Sequence, residues 1–331
     1  MNRQLVLRQR PTGLVAPGDV ELVEAPMPEP GENEVLVKAE WLGIDATVRT
    51  WLSKAEGYIP PVEIGEVVRS SGIGRVLASN SERVPMGAMV ATLTGWQEYA
   101  AVGDDPMLTT VLRDDADPQA ELGVFGSAGM TAYVGLTDIG RITEGETVAV
   151  SAAAGATGSI AVQIAKIMGC KVIGFAGTDE KCRWLTDDLA VDGAVNYRTE
   201  DIAARLKELA PKGVDVFFDN TGGPILDAVL GRIATGGRVV LCGAISSYND
   251  TRKPPGPANY LNLISRRGRM EGFISWDHWG RWKDITDQLR AWVREGQLHY
   301  RCHVFEGLES APDALNAMFT GDNIGKIVVK L

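Results

Sequence analysis

Thr147-Val148-Ala149-Val150-Ser151-Ala152-Ala153-Ala154-Gly155-Ala156-Thr157-Gly158-Ser159-Ile160-Ala161-Val162-Gln163-Ile164-Ala165-Lys166-Ile167-Met168 runs from a β-branched stretch through a turn of small residues into a helical period. Strand, glycine-bearing turn and helix in this order make the context of a dinucleotide-binding unit. Gly155 lets the backbone approach a pyrophosphate, and Gly158 lets the helix pack closely on the strand. The turn through Ala156 and Thr157 offers the first helical N–H groups and the positive end of the dipole to the anion. Ala153 stands where the usual Gly-x-Gly-x-x-Gly run has its first glycine. The motif therefore takes its weight from the strand before it and the helix after it.

The same texture continues downstream. Strands are expected at 147–151, 171–175, 194–197, 214–218, 238–242 and 269–274, with helical stretches near 158–168, 179–189, 200–209 and 224–233. Strands alternating with helices build βαβ units on a parallel sheet. Residues 1 to about 118 read differently: short β-rich runs such as 34–39 are punctuated by Pro and Gly clusters at 26–31 and 60–61, the pattern of a mostly β domain. After a helical pattern over 279–295, the tail from Tyr300 returns to strand, helix with Pro312 near its start, and a last strand at 327–330, expected to pack back on the first domain. The fold class is thus α/β, a doubly wound parallel sheet of Rossmann type beside a second, mostly β domain.

Composition narrows the function classes. The 331 residues suffice for two cores, and 45% hydrophobic with 23% charged residues argues against disorder. With 33 Lys and Arg against 43 Asp and Glu the net charge is −10, repulsive toward phosphate backbones and anionic lipids, so neither nucleic acid nor a membrane is an expected partner. The uncharged stretches 122–137 and 147–165 are broken by Gly126, Gly129, Gly155 and Gly158 and read as buried elements rather than spans. No apolar segment follows Met1, which points to a cytoplasmic protein. Cys170, Cys182, Cys242 and Cys302 lie far apart, as reduced thiols do.

Two further readings bear on chemistry. In such folds the end of the second strand meets the adenosine ribose, where an acid selects NAD. Here Ala176 stands about where the acid belongs, and Thr178 and Lys181 follow it, which favours NADP with its 2′-phosphate; Asp179 and Glu180 suit the helix start. Metal ligation would need about three clustered N, S or O ligands. The histidines, His278, His299 and His303, all fall late and the cysteines do not cluster, so no metal site is expected. Polarising a substrate oxygen then falls to hydroxyls, backbone N–H groups or the cofactor, which favours hydride addition to an activated double bond over alcohol dehydrogenation.

The chain resembles the zinc-independent branch of the medium-chain dehydrogenase/reductase superfamily, and within it the prostaglandin reductase, alkenal double-bond reductase and curcumin reductase group. The resemblance covers nearly the whole length. It is carried by Gly129-Met130-Thr131-Ala132-Tyr133, the turn from Ser151 to Gly158, the segment from Gly177 to Lys181, Asn196-Tyr197, Phe218-Asp219-Asn220, Cys242-Gly243-Ala244-Ile245-Ser246-Ser247-Tyr248-Asn249, Glu271-Gly272-Phe273-Ile274 and Gly325-Lys326. It implies a GroES-like substrate and catalytic domain at 1–120, completed by 299–331, and a Rossmann NADP-binding domain at 121–298. Gly155, Ala156, Thr157 and Gly158 would hold the pyrophosphate, Lys181 and Tyr197 the adenosine phosphate side, and Asn220 the ribose. Cys242, Gly243, Ala244, Ile245, Ser246, Ser247 and Tyr248, with Phe273, Ile274 and Ser275, would line the nicotinamide half, and Asn323 would reach in from the tail.

The implied activity is NADPH-dependent reduction of the carbon–carbon double bond of an α,β-unsaturated ketone or aldehyde, by a metal-independent homodimer. Tyr248 would be the catalytic residue: it or a cofactor ribose hydroxyl would steady the enolate oxygen, and Tyr248 would give the α-carbon its proton or only orient the ring, solvent being the other proton source. Thr47 stands where some members carry a substrate-facing tyrosine, and Ser127 and Ala128 replace bulkier residues before Gly129. Trp41, Trp51, Trp96, Trp276 and Trp279 are candidate pocket aromatics. Quinone reduction by the same hydride donor and a non-catalytic NADPH-binding module stand as alternatives.

Overall fold

A computed structural model describes residues 1–54, 57–252 and 254–331. Its contacts divide the chain into two compact units, Met1–Gly123 with Cys302–Leu331, and Val124–Arg301. The family resemblance implies divisions at 120/121 and 298/299.

The first unit opens with the antiparallel pair β1 (Asn2–Leu7) and β2 (Val20–Ala25), followed by β3 (Glu34–Ile44), the short helix α1 (Ala46–Trp51), β4 (Ser71–Ser79), β5 (Met89–Thr92), β6 (Tyr99–Gly103), β7 (Thr110–Val111) and α2 (Pro118–Leu122). Along β3 the inward residues Val35, Val37 and Ala39 are buried and Lys38 is exposed, the period of a sheet with one face on a core. Asp117 caps α2 by accepting from the Gln119 N–H, and Pro118 occupies the first turn, where its missing N–H leaves no bond unmade.

The second unit holds six parallel strands, β8 (Thr147–Val150), β9 (Lys171–Ala176), β10 (Gly193–Asn196), β11 (Val214–Asp219), β12 (Ile233–Leu241) and β13 (Arg269–Gly272), in the order β10-β9-β8-β11-β12-β13. Its helices are α3 (Ser127–Val134), α4 (Ala156–Ile167), α5 (Asp179–Arg183), α6 (Ile202–Leu209), α7 (Gly223–Leu230), α8 (Asn262–Arg266) and α9 (Trp282–Arg294). Val148, Ala149 and Val150, like Val172, Ile173 and Phe175, are wholly buried, because helices cover both faces of a parallel sheet. The chain order reverses between β8 and β11, the point where doubly wound sheets open a crevice at the carboxyl ends of their strands.

Two elements depart from the sequence reading. The segment 224–233 is not all helix: α7 stops at Leu230 and β12 already begins at Ile233, pairing Ile233 with Val214 before the register shifts to Val216 with Arg238. Gly236, at φ 76°, absorbs that shift, so a strand is hidden behind what reads as a turn. The helix expected over 179–189 keeps regular turns only to Arg183; the next turn is wider, with the Leu189 N–H donating to the Trp184 carbonyl.

The tail supplies β14 (Cys302–Glu306), α10 (Ala311–Thr320) and β15 (Lys326–Lys330) to the first unit. β15 runs antiparallel to β3, Ile327 opposite Ile44, and completes a seven-stranded sheet ordered β14-β15-β3-β4-β5-β7 with β6 on β3. Pro312 lies in the first turn of α10, and Gly321 at φ 81° ends it. Trp96 is wholly buried in the core of this unit, with Leu42, Ile44 and Val329, so it lines no pocket.

Candidate active site

The turn between β8 and α4 is shaped by contacts that fix its residue types. The Ala153 N–H donates to the Phe175 carbonyl (2.9 Å), and the Gly155 N–H donates back to Ala152 (2.9 Å). A methyl at Gly158 would stand 2.2 Å from the Ala152 carbonyl oxygen, so glycine is required there. Gly155 caps α4 without a side chain, and the N–H groups of Ala156, Thr157 and Gly158 are left facing out of the helix start. Ala153 is accommodated by its neighbour strand: a methyl at Gly174 would lie 3.0 Å from the Ala153 Cβ. The glycine absent from the motif has its counterpart on β9.

At the end of β9, Ala176 is buried and Thr178 caps α5, accepting from the Lys181 N–H (3.2 Å). Tyr197 lies across this strand end: a methyl at Gly177 would meet its hydroxyl at 2.7 Å and Arg198 Nε at 3.3 Å. Asn196 donates to Asp179 Oδ1 (2.6 Å), holding that carboxylate to the end of β10. Gly177, Lys181, Tyr197 and Arg198 therefore cluster at one edge of the crevice.

On the other side of β8, Asp219 ends β11 wholly buried. Its Oδ1 accepts from Ser151 Oγ (2.9 Å), the Thr221 N–H (3.0 Å), the Gly222 N–H (2.9 Å) and Thr221 Oγ1 (3.3 Å). Burial pushes the carboxyl up from its ordinary value against these donors, which pull it down. Asn220 donates its backbone N–H to Ser151 Oγ (2.8 Å) and its Nδ2 to the Ser151 carbonyl (2.7 Å).

The loop after β12 is folded against that turn. The N–H groups of Cys242 and Gly243 donate to the Asp219 carbonyl, and Ser246 Oγ donates to the Thr221 carbonyl (2.6 Å). Ser247 Oγ donates to the Ala244 carbonyl (2.9 Å), so both serine hydroxyls stabilise the loop itself. Tyr248 curls back: its hydroxyl accepts from the Ala244 N–H (3.1 Å) and keeps its own proton for another acceptor. Burial raises the phenol above its ordinary value, with the neighbouring Cys242 and Asp219 adding to the shift. Ile245 lies within the short turn that carries these groups. Beyond β13, Phe273 packs toward α3, its ring 2.9 Å from where a Gly135 methyl would stand, while Ile274 is half-buried and Ser275 buried.

Desolvation governs the thiols. It pushes Cys170, Cys182 and Cys302 up to about 11 and Cys242 to about 12, which leaves all four protonated and poor nucleophiles at neutral pH. Among the described residues, no group of three or more His, Cys, Asp or Glu could hold a metal ion. Asn323 is buried in the first unit, donating to the Gly325 carbonyl (2.9 Å).

Residues 3–111 match the family model described as the N-terminal domain of oxidoreductase, and residues 156–291 that described as zinc-binding dehydrogenase. The NADPH-dependent curcumin reductase of Escherichia coli (strain K12) is 38% identical over 100% of this chain and 97% of its own. The 2-alkenal reductase (NADP(+)-dependent) of Nicotiana tabacum is 37% identical over 99% of this chain and 97% of its own. The chain belongs to the zinc-independent medium-chain dehydrogenase/reductases. A solved member, CurA of Vibrio vulnificus in complex with NADPH, superposes with a TM-score of 0.94 at 39% identity, covering 99% of this chain and 98% of that one.

In this member of the family, Ser151, Asp219, Thr221 and Arg198 join the site's geometry although the sequence reading gave them no role. A polar residue closing an otherwise apolar buried strand was the available signal for Ser151 and Asp219. Arg198 carried only its position directly after Tyr197.

Proposed function

We propose that this protein is an NADPH-dependent reductase of the carbon–carbon double bond in α,β-unsaturated ketones and aldehydes. The observation that carries this reading is the uncapped start of α4, closed by Gly158 against Ala152, at the strand-order reversal of a sheet whose second strand ends without an acid. The residues fit the dinucleotide. Gly155, Ala156, Thr157 and Gly158 would hold the pyrophosphate on their N–H groups. Lys181 and Tyr197, with Arg198 beside them, would take the 2′-phosphate side, where charge-assisted hydrogen bonds are strong. Asn220 would meet the ribose of the nicotinamide half. Cys242, Gly243, Ala244, Ile245, Ser246 and Ser247, with Phe273, Ile274 and Ser275, would wall the ring.

Held there, the coenzyme would supply the hydride for the substrate's β-carbon. Tyr248 donates its hydroxyl proton in a hydrogen bond to the carbonyl oxygen, where negative charge grows as the double bond is reduced. Its raised phenol stays neutral across physiological pH and so remains a donor. Solvent delivers the proton to the α-carbon, because a phenol held above its ordinary value is a weak acid. The first unit would be the GroES-like substrate domain.

The protein would act as a cytoplasmic homodimer. β13 is an edge strand among the described residues; Met270 on it and Tyr260, Leu261 and Ile264 in the segment before it are exposed, and a second copy extending the sheet would cover them. No helix among the described residues is long and apolar enough to cross a membrane.

The test is coenzyme oxidation by protein treated with chelator. Turnover is expected with a conjugated enone and absent with the matching saturated ketone. Turnover of quinones alone would move the assignment to quinone reduction, and NADPH binding with no turnover of either class would make the protein a binding module.

A further inference from the structure

Asp219 carries more than a core carboxylate needs to. Four donors converge on Oδ1, while Oδ2 is buried with no hydrogen-bond partner among the described residues. A buried carboxylate used so unevenly is expensive as a mere packing element. What the arrangement secures is a junction of three segments. Through Ser151 it reaches the end of β8, through Thr221 and Gly222 the turn into α7, and through its own carbonyl the Cys242–Gly243 start of the loop to Tyr248.

The junction has a direction. Ser151 Oγ donates to Asp219 and can therefore accept from the Asn220 N–H, while the Ser151 carbonyl accepts from Asn220 Nδ2. With its amide nitrogen committed to β8, Asn220 keeps Oδ1 as an acceptor, and Asn220 is half-buried rather than sealed in. The Asn220 and Thr221 carbonyls accept from Ile245 and Ser246, so the turn and the loop that ends at Tyr248 move as one body.

We propose that Asp219, acting through Ser151, is the positioning residue of the nicotinamide half-site: it sets Asn220 and the loop from Cys242 to Tyr248 for the ring-bearing half of the dinucleotide and does nothing for the adenosine half. This assignment rests on the NADPH reading above. The β9 edge, with Gly177, Lys181 and Tyr197, lies on the opposite side of β8 and shares none of these hydrogen bonds.

The two ligand halves can be titrated separately, with NADPH and with adenosine 2′,5′-bisphosphate, which lacks the nicotinamide half. Ser151→Ala removes one hydroxyl and should weaken NADPH by about tenfold, the scale of one hydrogen bond to a charged group, while the bisphosphate binds within about twofold of wild type. Asp219→Asn keeps a carbonyl oxygen for the converging donors, and its NADPH affinity should stay within about threefold. Unchanged NADPH binding in Ser151→Ala overturns the proposal, and so does equal weakening of both ligands, which would mark a general structural role. An Asp219→Asn protein that weakens the bisphosphate as much as NADPH also overturns it. Wild-type protein that binds neither ligand removes the NADPH reading itself, an outcome distinct from the others.

Discussion

The two sides of the crevice edge are built on opposite terms. Beside β9 and β10, the groups that face a ligand stand at the surface: Tyr197 and Arg198 are exposed, and Lys181 is half-exposed at the start of α5. Beside β11 and β12, they are fastened before any ligand arrives, with Asn220 bound twice to Ser151 and Tyr248 bound to its own loop. Exposed cations tolerate mobility because charge attraction acts over several ångströms, and they select for a phosphate without needing exact placement. A hydroxyl that must meet an oxygen as its charge develops has to be in place already, because reorganisation during the reaction raises the barrier. Under the proposed function, the exposed side would set which coenzyme binds and the fastened side what happens to the substrate.

The largest effect is expected where the two sides meet. Gly158→Val puts side-chain carbon against the Ala152 carbonyl, 2.2 Å from where the first methyl would stand, with backbone on one side and helix on the other. Overpacking of this kind costs about 1–3 kcal/mol, and here it would also displace the N–H groups proposed to hold the pyrophosphate. NADPH fluorescence titration should show no saturation at concentrations that saturate wild type, with a lowered melting temperature. Saturation at wild-type concentrations would place the coenzyme elsewhere and dissolve the comparison.

Tyr248→Phe tests the fastened side. Loss of one donor to a developing oxyanion lowers kcat by about 10²-fold, whereas the NADPH dissociation constant should move by less than about twofold. The pH profile carries the same information. Because burial holds the phenol above its ordinary value near 10, with Cys242 and Asp219 adding, the donor keeps its proton as pH rises through neutrality. Wild-type kcat should show no alkaline loss assignable to this group below about pH 10. An alkaline limb near neutrality, unchanged in Tyr248→Phe, would give the role to another residue.

Lys181→Ala tests the exposed side and should do the reverse. NADPH binding weakens by about tenfold, NADH binding by less than about twofold, and kcat at saturating coenzyme is unchanged. Equal effects on the two coenzymes would show that selection does not reside at the end of β9.

The same contrast explains what could be read from the sequence. Parallel strands buried on both faces announce themselves as apolar runs, so 171–175 was legible and the structure differs there only in extending β9 to Ala176. β12 was legible only from Arg238 onward, because Gly236 and Gly237 interrupt its first half and read as a turn. Gly155 and Gly158 were legible because a close approach dictates a residue type that shows in the string of letters. Ser151 and Asp219 were legible only as polar residues closing apolar strands, since the bond that gives them meaning joins positions 68 residues apart. Arg198 was passed over for a different reason: an exposed arginine is the ordinary case, and the approach of its Nε to Gly177 shows only in the structure.

The smallest effect is predicted at the position where the motif is incomplete. Restoring the usual glycine with Ala153→Gly removes a methyl that packs beside Gly174, and nothing at Ala153 faces outward, since the residue is wholly buried and its N–H is bound to the Phe175 carbonyl. If the glycine pattern served the ligand directly at this point, the variant would bind NADPH more tightly. If, as the contacts indicate, the first position serves only the packing of β8 against β9, affinity should stay within about twofold while stability falls by about 0.5–1 kcal/mol from the added freedom of the unfolded chain. Urea unfolding and NADPH titration of the same protein separate the two. A gain in affinity would mean that the turn is less fully set by Gly155 and Gly158 than the 2.2 Å approach to Ala152 requires.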